Sequence, residues 1–206
     1  MPYIIMGSLA FLLFILYDVN SVTGNYGLLR GGFSLGCLLL AAATAGIVLT
    51  SVSETAGAGM TGETAAVTAR TVIFAAAAFL FLILLVYTLF FAIPFKETYI
   101  KPNRQPALCT IGVYALSRHP GVLWFTGFYF SLWLAFSGSL LLTAAVLFSL
   151  LNLFYIILQD RWVFPKVFAD YADYKKTTPF LIPDCPSLHR CARTLCRAEG
   201  KPSERA

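Results

Sequence analysis

Apolar residues in this chain collect into runs close to the roughly 20 residues a helix needs to cross the hydrocarbon core of a bilayer. The runs cover residues 3–19, 33–50, 72–95, 121–137 and 139–158. Hydrocarbon offers no water to a backbone N–H or C=O, so a chain that crosses it must satisfy those groups internally. Helices do so within one segment. The expectation is an all-α integral membrane protein with five transmembrane helices. Only 12% of the residues are charged and 58% are hydrophobic, where a soluble domain carries about 25% charged residues. That leaves too few polar residues to cover five buried helices in water. The first run has no basic residue ahead of it and no small-residue cleavage site directly behind it, so it reads as a span and not as a signal peptide.

Charge placement orients the spans. Lys96, Lys101, Arg104 and Arg118 stand against Glu97 alone between the third and fourth runs. Beyond Leu158 come Arg161, Lys166, Lys175, Lys176, Arg190, Arg193, Arg197, Lys201 and Arg205. Basic loops stay in the cytoplasm, so this loop and the C-terminus are expected there, with the first loop and its Arg30. The N-terminus and the loop with Glu54 and Glu63 are then exoplasmic. An odd number of spans makes these placements consistent. Orientation also accounts for the net charge of +5, so nucleic acid is not an expected partner.

Little room remains for polar chemistry. Residues 51–69 are rich in Gly, Ala, Thr and Ser without an aromatic residue, which reads as a plain connection. Ser137-Gly138-Ser139 only ties the last two spans into a tight hairpin. Two cytoplasmic segments are left, 96–120 and the tail from Gln159 to about Pro183. The first ends in a polar island, Gly112-Val113-Tyr114-Ala115-Leu116-Ser117-Arg118-His119-Pro120. A cation and an imidazole at a membrane mouth are costly unless partnered, which marks Arg118 and His119 as functional candidates. The hairpin should make Arg118-His119 and Asp160-Arg161 neighbours.

In the tail, Trp162, Phe164, Phe168, Tyr171 and Tyr174 are spaced as on one short amphipathic helix that lies on the membrane or caps the bundle. Tyr171 and Tyr174 share a face, as do Phe164 and Phe168. Residues 1–183 read as one membrane domain and 184–206 as a basic, Cys-containing flexible tail. Cys185, Cys191 and Cys196 lack the spacing of metal ligands, and only His189 lies near them, so no metal is expected. Basic residues with cysteines at a membrane surface suit acylation or contact with anionic lipid.

Island and tail together resemble a known family. Leu108-x-Thr110-x-Gly112-Val113-Tyr114-x-x-x-Arg118-His119-Pro120, a hairpin, Asp160-Arg161, Phe168-Ala169, Tyr171, Tyr174 and Pro179-Phe180-Leu181-Ile182-Pro183 are similar in order and spacing to the motifs of the isoprenylcysteine carboxyl methyltransferase and phospholipid methyltransferase group. The resemblance implies an integral-membrane enzyme that takes S-adenosylmethionine from the cytosol and methylates a lipophilic or small acceptor (carboxylate, thiol or amine) at the cytoplasmic membrane face, a lipophilic acceptor coming from the bilayer. It implies a cofactor site made by Gly112, Val113, Tyr114, Arg118, His119, Pro120, Asp160, Arg161 and Tyr174, with His119 and Arg118 as catalytic residues. The chemistry of such a cofactor suits them. A guanidinium, Arg118 or Arg161, pairs with its carboxylate. Asp160 suits its ammonium, and the faces of Tyr114, Trp162 and Tyr174 suit its adenine and sulfonium. His119 can bond the cofactor or take a proton from an amine acceptor.

The chain departs from that pattern in places. Val122 stands where the family has Tyr, Trp124 where it has a small residue, Asp160 where Glu is usual and Ala169 where Gly follows Phe168. One residue is missing before Tyr171. These changes bear on the acceptor pocket more than on the cofactor pocket. Two other readings of the same residues stand beside this one: a non-catalytic lipid-binding or scaffold relative, and an NADPH-dependent reductase of the sterol reductase type.

Overall fold

The computed structural model describes residues 1–24, 26–58, 64–92 and 108–195, apart from the side chains of 55–58 and 64–68. Among them every regular element is helical. The long helices are α1 (Pro2–Thr23), α2 (Gly32–Ala58), α3 (Thr64–Val86), α5 (Pro120–Phe136) and α6 (Ser139–Leu158); the short ones are α4 (Val113–Leu116), α7 (Phe164–Val167), α8 (Tyr171–Thr177) and α9 (Cys185–Leu195). One 3-10 turn, Gly27–Gly31, precedes α2, and π-helical turns end α3 (Tyr87–Phe91) and α6 (Gln159–Val163).

Four helical stretches are long and apolar enough to cross a membrane: Pro2–Thr23, Gly27–Glu54, Ala69–Phe91 and Ser139–Val167. The fourth apolar run forms α5, which has 17 residues and at 1.5 Å per residue spans about 25 Å. That is shorter than a hydrocarbon core of about 30 Å. Lys96, Glu97, Lys101 and Arg104 of the basic loop, Glu63, and Cys196, Arg197, Lys201 and Arg205 of the tail lie outside the described residues.

Two compact units make up the chain: Met1–Ile83 with Trp124–Val163, and Leu84–Leu123 with Phe164–Ala206. In the first unit α1 packs along α2 and against α6. Leu142, Val146, Leu150 and Phe154 are exposed at four-residue spacing on α6, while Leu141, Ala144, Ala145 and Phe148 on its other side are fully buried. A helix with one apolar face turned out and another turned in is what lipid solvation permits. The driving force for association inside lipid is close packing, so small residues line the contacts. Gly7 of α1 faces the Phe148 ring so closely that a Cβ would stand 2.2 Å from its Cζ. Gly36 of α2 makes the same room for Phe14, and Gly46 for Tyr3. Phe148 is itself held between Phe11 and Tyr129, with ring centroids 6.1 and 5.4 Å away.

Two polar clusters of this unit sit at opposite ends of its helices. At one end Arg70 donates to Ser137 Oγ (3.1 Å) and Thr71 to the Ala135 carbonyl (3.0 Å). Gly138 there has φ +93° and Ser137 φ +60°, a reversal confined to two residues between α5 and α6. At the other end Asn20 bonds both the N–H and the carbonyl of Tyr26, and Gln159 donates to Asp18 (2.8 Å).

Two expectations for the C-terminal part are corrected. Instead of one amphipathic helix after Gln159 there are a π-helical turn and two short helices, α7 and α8, separated by a bend. Residues 185–195 are not a flexible tail but the helix α9. Its start is capped. Asp184 Oδ1 accepts from Ser187 N (2.7 Å), and Ser187 Oγ accepts from Asp184 N (3.0 Å), the reciprocal pair of a capping box.

Close approach at Gly7 leads to a first test. Gly7→Ala should destabilise the protein by about 1–3 kcal/mol, the usual cost of overpacking, because the buried Phe148 ring has no space to yield into. Thermal unfolding in detergent, compared with the wild type, measures it.

Candidate functional site

The second unit is organised around the polar island. Gly112 opens it with φ +62° and ψ −132°, a conformation that side-chain-bearing residues adopt only under strain. Its N–H donates to Thr194 Oγ1 of α9 (2.9 Å), and α9 packs on α4. From there the chain makes the single helical turn of α4 and leaves it at Ser117, which is extended at φ −156°, ψ 154°. Pro120 then starts α5, a position where its missing N–H costs nothing, and His119 before it is held out of the helical region.

The extended segment lies against the end of the tail motif. Arg118 N donates to the Pro179 carbonyl (3.0 Å), and Ser117 Oγ to the Phe180 carbonyl (3.2 Å) while accepting from His119 N (3.2 Å). Tyr174 OH donates to the Tyr114 carbonyl (2.6 Å), and Tyr114 OH to the Thr88 carbonyl (3.0 Å) at the end of the Ala69–Phe91 span. Residues some 60 positions apart are thus joined by backbone-directed bonds.

Side chains complete the arrangement. The His119 ring is 6% exposed and lies parallel to Phe164 at 5.6 Å, with Phe180 edge-on at 5.3 Å. Arg118 is half-buried, its guanidinium 5.6 Å from the centre of the Phe180 ring, and its Nη1 donates to the Lys175 carbonyl at 3.4 Å. A cation over an aromatic face gains about 0.5–2 kcal/mol depending on its desolvation. Tyr171 and Tyr174, expected on one face, are both buried with rings 6.0 Å apart, and Tyr171 also meets Phe164 at 5.5 Å.

Of the residues singled out from sequence, Gly112, Val113, Tyr114, Arg118, His119, Pro120 and Tyr174 all belong to this unit. Asp160, Arg161 and Trp162 belong to the first unit, in the π-helical turn that ends α6; Asp160 is buried, Trp162 half-buried and Arg161 exposed. Val122 is buried, and Trp124 stacks on Phe81 within the first unit at 6.4 Å.

Sequence reasoning passed over one polar cluster, in the first unit. Asp18 is buried in α1 and bonded by Gln159 and Tyr155; Gln159 also reaches Tyr155 OH (2.9 Å). The signal was present, since an acid inside an otherwise apolar run is itself a functional flag. Among the described residues no group of three or more His, Cys, Asp or Glu side chains is arranged to hold a metal ion. The thiols of Cys109 and Cys191 are both pushed up by burial, the direction that disfavours the nucleophilic thiolate.

The class that fold and site define is an all-helical membrane protein with a polar, aromatic-walled island at the end of a span. Compared with known proteins, the chain matches no family model, no curated protein and no solved structure.

Two tests follow from this geometry. Gly112→Ala should cost about 1–3 kcal/mol of backbone strain and raise amide exchange across 112–118, read by mass spectrometry. The Asp184 carboxyl is held below its ordinary value, chiefly by the Ser187 N–H. Its contribution to α9 is therefore present above the unfolded carboxylate pKa of about 3.9 and is lost as pH falls through the lower folded value. Amides 187–191 should lose protection only on that acidification, and Asp184→Ala should lose it at neutral pH.

Proposed function

We propose that this chain is a membrane-bound methyltransferase of the isoprenylcysteine carboxyl methyltransferase and phospholipid methyltransferase type, acting at the cytoplasmic membrane face on a lipophilic or small acceptor. The observation that carries the reading is the union of its first and last motifs. Arg118-His119-Pro120 and Pro179-Phe180 meet through the Arg118 N–H to Pro179 bond, and Tyr174 holds Tyr114. A resemblance made of separate short motifs gains weight when two of them prove to be parts of one structure. In this reading the chain crosses the membrane five times, with α5 as a short fourth span and α5–α6 as a hairpin. The N-terminus is exoplasmic and the C-terminus cytoplasmic.

The residues present fit S-adenosylmethionine in kind. Arg118 is a half-buried cation for a carboxylate, Phe180 and Phe164 are aromatic faces, and Asp160 is a buried carboxylate suited to an ammonium. When bound, that cofactor supplies an electrophilic methyl group. Arg118 would bind and orient, its planar fork matching a carboxylate. Gly112, Val113, Tyr114, Pro120 and Tyr174 of the same unit would complete the binding set there, and Asp160 and Arg161 of the first unit enter it by the resemblance alone. His119 would accept a proton only from an amine acceptor, since a carboxylate or thiolate arrives without one to lose. Positioning by the aromatic walls and exclusion of water would do most of the work.

One observation favours a second reading. His119 is so enclosed by Phe164 and Phe180 that it suits a packing role, as in a non-catalytic lipid-binding or scaffold relative. Calorimetry of the detergent-purified protein with S-adenosylhomocysteine and with NADPH separates the readings. The first requires binding of S-adenosylhomocysteine alone; binding of NADPH points to a reductase, and binding of neither to the non-catalytic relative. Arg118→Ala and Asp160→Ala should each weaken binding about tenfold to a hundredfold, the loss of one charge-assisted contact of about 1.5–3 kcal/mol.

A further inference from the structure

The helix α9 buries only part of its surface. Ser187 and Cys191 are buried, and Thr194 reaches Gly112. On the neighbouring face Leu188 and Leu195, seven residues apart and so aligned, are 53% and 42% exposed, with Ala192 exposed between them. Ile111, which directly precedes Gly112, is 55% exposed, and Leu195 Cδ2 lies 3.8 Å from where a Gly112 Cβ would stand. The apolar strip therefore runs from α9 onto the island. His189 and Arg193, both exposed, flank it on the polar side. No acid occurs from 185 to 195, and Asp184 before it is engaged at the cap.

We propose that this strip docks on a bilayer surface bearing anionic headgroups, and that the docking holds the island in its described form. An amphipathic helix with leucines on one face and cations beside them is suited to lie in the interface, apolar side down. What selects lipid over another protein is where the helix is tethered. Thr194 holds Gly112, and two residues on Tyr114 bonds Thr88 at the end of a span able to cross the membrane. The helix is therefore tied to the terminus of a span, where headgroups are the nearest surface. The proposal is independent of methyl transfer, since it needs only the helix, the island and the span.

The test is hydrogen exchange of the full chain in nanodiscs of phosphatidylcholine alone and of equal parts phosphatidylcholine and phosphatidylglycerol. Amides of 187–195 and of Gly112 should exchange more slowly in the anionic discs, and added salt should reverse the slowing. Arg193→Gln should speed exchange there by about fivefold, the factor expected for the loss of one cation at such a surface. Leu188→Asp should remove the difference between the two lipids while α5 and α6 stay protected, which shows that the variant is folded. Equal exchange in both lipids, or no effect of Leu188→Asp in a folded protein, would overturn the proposal. So would slowing that depends on the number of protein copies per disc, which would mark a second copy as the occupant.

Discussion

A backbone in hydrocarbon has no partner but itself, and the rest of this structure depends on that constraint. It makes every long element a helix and drives the side chains that need hydrogen bonds to the helix ends. In the first unit the result is visible as two separated polar ends, one with Arg70 and Ser137, the other with Asp18, Asn20 and Gln159. Between them the helices are held by rings seated in glycine notches, because burial from water cannot drive their association there. Tyr129, which bonds Thr44, is one of few polar contacts within that layer.

The second unit meets the same constraint differently. Where the chain leaves helical geometry at Ser117, its backbone groups must find partners elsewhere. The Pro179 carbonyl takes the Arg118 N–H and Ser117 Oγ takes the His119 N–H, while the Ser117 hydroxyl itself donates to the Phe180 carbonyl. Each such bond contributes about 0.5–1.5 kcal/mol, comparable with the strain at Gly112. Several in parallel, with the rings around His119, over-determine the segment. Arg118 can then be kept half-buried over Phe180 without collapsing onto the surface.

Periodicity and hydropathy reveal the helices because lipid solvation leaves a long, unambiguous mark. The partner that sequence reasoning assigned to Arg118-His119 was Asp160-Arg161 across the hairpin; the bond from Arg118 N–H to Pro179 joins residues some 60 positions apart and leaves no mark in period or hydropathy. Other features carry weak marks. A length near the limit, as in α5, leaves the number of crossings open. The helix α9 is basic and contains Cys and Pro, a composition that reads as disorder; its cap, Asp184 with Ser187, was nonetheless written in the chain. The bend between α7 and α8 follows from ring packing among Phe164, Phe168 and Tyr171, and contacts of that kind have no period. Asp18 was obscured by the apolar run around it, although its isolation there is what marks it.

The bond between Tyr174 and Tyr114 has a consequence for the order of synthesis. The island is made some 60 residues before its partners, and two apolar helices are made between them. At about 5–20 residues per second, several seconds pass in which Ser117 and Arg118 have no tail to bind. The polar island therefore closes only after the apolar helices have been made, and its closure reports that the chain beyond them has been delivered to it.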